Sequence, residues 1–130
     1  MASVLVIDET TAGERSEGPV LEFLTERVTV RELIRGRVYQ EVTEHNARQA
    51  LGRPMLVEPA PVERALNGER RAAGRRVDWE RQYELALRAF EGNGFLLFAG
   101  GRQLLDLDEE IELRHDTEIS FLRLVPLVGG

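Results

Sequence analysis

Five apolar residues, Val30, Leu33, Ile34, Val38 and Val42, recur at helical spacing, and Thr29 with Glu32 stands before them at the spacing of a capping box. That stripe constrains the fold more than any other feature, because an isolated helix of this length is marginal in water and must bury its apolar side against something. Gly36 lies inside the same helix and weakens it by about 1 kcal/mol relative to alanine, so packing has to hold it. What flanks the helix says what it packs on. Ser3 to Asp8 is a short β-branched run, and Pro19 to Val28 is a second apolar run behind the polar stretch "ETTAGERSEG". These read as two strands joined by a long loop.

After the first helix the pattern dissolves. Gly52 to Arg76 holds three prolines and three glycines among clustered arginines and reads as a loop with one helical turn around Val62 to Leu66. Asp78 is then a plausible N-cap for a second helix carrying Trp79, Tyr83, Ala86, Leu87 and Phe90 on one face, ended by "GNG". Strands are expected at Phe95 to Phe98 and Glu118 to about Val125. Shorter apolar elements are expected around Leu104 to Leu107 and Ile111 to Leu113. A hairpin followed by a helix that crosses over to later strands gives an α+β roll with helix on one face of the sheet. At 130 residues the chain fits a single domain.

Charge and composition narrow the function classes. There are 23 acidic against 17 basic residues, a formal charge of -6, which argues for a partner binder and against a general nucleic-acid binder. No apolar run reaches membrane length, the N-terminus does not read as a signal peptide, and the cytoplasm is the expected compartment. With no cysteine, disulfides, thiolate nucleophiles and zinc-thiolate sites are excluded, and His45 and His115 lack metal-ligand spacing. Every basic residue is arginine, so the chain has no side-chain amine.

Smaller motifs have simple readings. "DLDEEIE" fails as a calcium loop, because Ile111 replaces the glycine and Thr117 the closing glutamate, and reads as a solvated acidic face. Arg64, Arg70, Arg71, Arg75 and Arg76 lack interleaved aromatics and read as a solvated or salt-bridging loop.

Two stretches resemble a known family. "FLLFAGGRQL" is similar to the third-strand segment of ubiquitin. "DTEISFLRLVPLVGG" resembles the ends of the molybdopterin-synthase small subunit and the thiamine sulfur carrier. The resemblance covers residues 95 to 130 by motif and residues 1 to 50 by order of elements, and it implies a ubiquitin-like β-grasp roll: a mixed sheet with one main helix plus an inserted second one. Against that family the stretch at about 52–94 has no counterpart in the minimal members and is an insertion, and "AGGRQL" carries one residue more than the ubiquitin-type turn.

In that family an adenylating enzyme uses ATP to activate the terminal carboxylate. The resemblance therefore implies that this chain is a substrate rather than an enzyme, binds no cofactor or metal itself, and partners with an activating enzyme and with conjugation partners or target proteins. Gly130 would carry the carboxylate. Gly129 would supply clearance in a narrow tunnel, and Pro126, Leu127 and Val128 would stiffen the tail. The resemblance also places Leu97 at an exposed partner-binding position, with Leu122 or Leu124 beside it, while core burial is the competing reading for each. Three functions follow: a protein modifier conjugated to target lysines, a sulfur carrier bearing a thiocarboxylate, or a non-covalent binding module with an inert tail.

Overall fold

In the computed structural model, which describes residues 1–48, 56 and 77–125, the capping box at Thr29 closes reciprocally. The Thr29 amide donates to the Glu32 carboxylate at 2.9 Å, and the Glu32 amide donates to the Thr29 hydroxyl at 3.1 Å. Helix α1, Val30–Arg48, follows directly. All five residues of its stripe are in the core, none more than 2% exposed. Burying one such side chain is worth about 1.5–3 kcal/mol, so any two of them outweigh the cost of Gly36. Gly36 has its own packing reason: a methyl group there would stand 3.3 Å from the Phe23 ring, which lies across the helix at that point.

The sheet beneath α1 has five strands in the order β2-β1-β7-β4-β5. Strands β1 (Ala2–Thr10) and β2 (Arg15–Phe23) form the opening hairpin; β7 (Ile119–Arg123) runs parallel to β1 and antiparallel to β4 (Phe95–Ala99), and β5 (Arg102–Leu104) closes the far edge. Two further strands, β3 (Arg27–Thr29) and β6 (Glu110–Glu112), pair only with each other. The architecture is an α+β fold with a mixed sheet, consistent with a β-grasp-like roll.

Two expectations about the hairpin are corrected. The connection is a tight turn at Thr10 to Glu14, with the Thr10 amide donating to the Glu14 carbonyl at 2.9 Å, so β2 begins inside the polar stretch read as a long loop. The hairpin pairs Asp8 with Ser16 and Glu9 with Arg15, polar residues whose strand character comes from their partners rather than from apolar patterning. At the other end Val28 belongs to β3, because Leu24 to Glu26 break the run. A register shift between Leu5 and Ile7 sets Gly18 and Pro19 opposite Val6, and this bulge with its proline blunts the outer edge of the sheet.

The second helix, α2 (Trp79–Glu91), starts where its sequence says: the Asp78 side chain accepts from the Glu80 amide. Asp78→Ala is expected to cost about 1 kcal/mol in urea unfolding, while Asp78→Ser keeps most of the stability. The helix ends at Gly92, with Asn93 in the left-handed region at φ 60°. It packs mainly along α1. Trp79 meets Tyr39 edge-on at 5.3 Å, Arg35 lies over the Trp79 ring at 5.1 Å, and the Asn46 side chain bonds both the amide and the carbonyl of Val77. Its end reaches the sheet, where Phe90 lies near Phe95, and Phe95 near Phe121.

The β4–β5 turn settles the extra residue in "AGGRQL". Gly100 and Gly101 take φ of 58° and 87°, the pair of positive values that a two-residue hairpin turn of this hand requires, and Ala99 faces Arg102 across it. The segment read as a solvated acidic face is a mosaic of ion pairs: Arg31 with Asp108, Arg27 with Glu110, Arg102 with Glu109 and Arg114 with Glu112. The Arg102 hydrogen bond holds the Glu109 carboxyl below the usual carboxylate range. Arg64, Arg70, Arg71, Arg75 and Arg76, with the helical turn expected at Val62 to Leu66, lie outside the described residues.

Candidate functional site

The end of β7 is where the chain leaves the sheet, and the structure builds it from three segments. Thr10 of β1 stands opposite Arg123, the last residue of β7. Beyond Thr10 the chain turns into β2, yet pairing continues for one more step. The Thr11 amide donates to the Arg123 carbonyl at 3.1 Å, and the Thr11 hydroxyl accepts from the Val125 amide at 2.8 Å. Across the strand, Phe95 is the register partner of Arg123 on β4. A cleft of about 500 Å3 opens beside this exit, lined by Asp8, Thr10, Glu14, Arg15, Ser16 and Arg123. Leu124 is 47% and Val125 39% exposed as the chain departs. Pro126, Leu127, Val128, Gly129 and Gly130, the residues expected to form the reactive tail, lie outside the described residues.

Under the exit sits a buried charge cluster that sequence reasoning did not single out. Arg37, fully buried on α1, grips the Asp8 carboxylate with both terminal nitrogens and donates its Nε to Glu41 at 2.9 Å. Its guanidinium also lies 4.7 Å from the centre of the Phe121 ring on β7. Glu41 in turn accepts from the Leu56 amide at 2.9 Å. The bulge in β2 makes room for this arrangement, since a methyl group on Gly18 would come within 3.1 Å of the Asp8 carboxylate. The one signal available in the sequence was the i, i+4 spacing of Arg37 and Glu41, which is common on exposed helix faces and says nothing of burial.

One guanidinium faces two carboxyl groups, so the cluster holds more acid than base. Burial works against the Arg37 charge, but the Asp8 hydrogen bond and the charges of Glu41 and Asp8 more than offset it and raise the guanidinium pKa. Glu41 is the more deeply buried carboxylate, with its side chain 5% exposed against 13% for Asp8. Burial, helped by the Asp8 charge, pushes the Glu41 pKa above 4.5 despite Arg37 and the Leu56 amide. A carboxyl whose pKa is raised on folding binds its proton more tightly in the folded state. Its contribution to stability is therefore fully present below about pH 4.5 and is lost as pH rises through the raised value. Glu41→Gln can still accept the Leu56 hydrogen bond but does not titrate. Urea midpoints at about pH 5 and about pH 7 should show wild type losing ground to this variant at the higher pH.

The structure separates the three leucines expected to meet a partner. Leu97 is fully buried, packed in the core on the helix side of the sheet, so its assignment as an exposed partner-binding residue is corrected. The reason is strand phase: Phe95 and Leu97 point toward the helices with Leu104 and Phe121, which leaves Leu96 on the opposite face. Leu122 is half-buried and pairs with Leu96 across the β7–β4 ladder. Leu124 lies past the end of the strand. Leu96 and Leu122 share the outer sheet face with Leu5 and Val20, which are 38% and 50% exposed.

Among the described residues no group of three His, Cys, Asp or Glu side chains is arranged to hold a metal ion, and no helix is long and apolar enough to cross a membrane. No protein-family model, curated protein or solved structure matches the chain.

Proposed function

We propose that this chain is a ubiquitin-like β-grasp modifier, activated at the Gly130 carboxylate and conjugated to lysines of target proteins. The observation that carries the reading is the placement of β7. Strand β7 lies inside the sheet, parallel to β1, so whatever follows it starts from one end of a rigid scaffold. The chemistry belongs to that partner. An adenylating enzyme would join the carboxylate to the α-phosphate of ATP with loss of pyrophosphate. A nucleophile would then displace AMP, and a target amine would end with the acyl group as an amide. The chain contributes a carboxylate on a slim lead, with no Cβ on Gly129 or Gly130 to obstruct a narrow passage. Because the chain has no lysine, a modifier of this kind could be extended only through its own α-amine.

A sulfur carrier would use the same activation, with sulfide sulfur displacing AMP to leave a terminal thiocarboxylate. "PLVGG" favours that second reading, and one measurement separates the two. Intact mass spectrometry of the protein from its native host is expected to reveal covalent adducts on other proteins, which disappear on deletion of Gly130. One oxygen replaced by sulfur would instead mean a carrier. An unmodified mass alone, together with unchanged activity after the deletion, would sink both and leave the outer sheet face as a plain binding surface.

A further inference from the structure

Just past β7, the last hydrogen bonds among the described residues are made by a side chain. Backbone pairing between β1 and β7 runs from Val6 opposite Ile119 to Thr10 opposite Arg123. The hairpin turn then carries the β1 backbone away, with the Gly13 amide donating to the Thr10 carbonyl at 3.0 Å. Thr11 fills the gap. Its hydroxyl accepts from the Val125 amide at 2.8 Å and donates to the Val125 carbonyl at 3.4 Å, standing in for the amide and carbonyl a longer strand would have offered. Both residues are exposed, so packing adds little to this contact.

We infer that Thr11 is a positioning residue for the C-terminal lead: its hydroxyl is a catch that fixes Val125 to the sheet and so sets where the lead begins. The inference rests on the proposed activation at Gly130. With the catch closed, the five residues from Pro126 to Gly130 reach about 17 Å when extended. With it open, Leu124 and Val125 join them and the reach grows by about 7 Å. The longer lead is not an advantage. A partner that grips the tail against the docked domain must then immobilise two more residues, and the penalty is bounded by what the catch itself contributes. For one exposed hydrogen-bonded contact that bound is about fivefold to tenfold in affinity.

The test uses the full chain. Thr11→Val keeps the shape and the backbone amide but removes the hydroxyl, and Thr11→Ser keeps the hydroxyl. Amide hydrogen exchange should show Val125 losing protection by about fivefold to tenfold in Thr11→Val and staying near wild type in Thr11→Ser, with amides of the β1–β7 ladder unchanged in both. In host extract with limiting activating enzyme, the yield of Gly130 adducts should fall by a similar factor in Thr11→Val and return in Thr11→Ser. Unchanged Val125 protection in Thr11→Val overturns the catch. Lost protection with undiminished adducts overturns its positioning role. Absence of both protein adducts and a terminal thiocarboxylate from wild type overturns the activation reading and the role built on it, while exchange at Val125 still decides whether the catch exists.

Discussion

Replacing Arg37 by methionine is expected to cost about 3–5 kcal/mol of folding stability, measured by urea unfolding at neutral pH. The side chain is fully buried and is the cation held by both Asp8 and Glu41, so its loss strands two carboxylates below the sheet. That is a large share of the 5–15 kcal/mol by which a domain of ordinary stability exceeds its unfolded state. The source of the loss is itself testable. If stranded charge dominates, adding Asp8→Val and Glu41→Gln to Arg37→Met should restore most of the stability, because an apolar replacement of a buried ion cluster is often close to neutral. If lost packing over Phe121 dominates, the triple variant stays as unstable as the single one. Acid should also narrow the gap between wild type and Arg37→Met, since a protonated Glu41 no longer needs the guanidinium.

Leu97→Ala comes next, at about 2–5 kcal/mol, because a buried leucine in a well-packed sheet leaves a cavity when it is truncated. Leu96→Ala, one residue earlier on the half-exposed face, should cost less than half as much. The pair reads the phase of β4 directly. Equal costs, or a larger one at Leu96, would mean that the strand is turned over and that Leu97 faces outward after all. The same phase decides which residues a partner on the outer face would meet: Leu96 and Leu122, with Leu5 and Val20 further along the sheet.

These two variants probe different layers of one construction. The bulge at Gly18 and Pro19 lets Asp8 reach Arg37; Arg37 braces α1 against β1 and lies over Phe121; and Phe121 is two residues before Arg123, where the chain leaves the sheet. The exit is therefore braced by the buried cluster and held by Thr11, whose amide bonds the Arg123 carbonyl and whose hydroxyl bonds Val125.

Elements whose signals are local can be read from the residues alone. The capping box at Thr29, the α1 stripe from Val30 to Val42, the Asp78 cap and the strands at Phe95 and Ile119 all lie where residue spacing puts them, because each depends on neighbours within a few positions. The two-residue glycine turn was legible as a turn. Its consequence for strand phase was not: "FLLF" is apolar at every position, and a run without alternation does not say which side faces the core. Long-range contacts are what turn Leu97 inward, make strand of polar Arg15 to Glu17, pair β6 with β3 rather than with the main sheet, and make Arg37 a buried cation rather than one more surface arginine. Each of these is settled by a partner many residues away: Leu104 and Phe121 for Leu97, β1 for the start of β2, and Asp8 with Glu41 for Arg37. The same holds at the exit, where Thr11 and Val125 meet 114 positions apart in the chain, a contact that comes into being only when the sheet assembles.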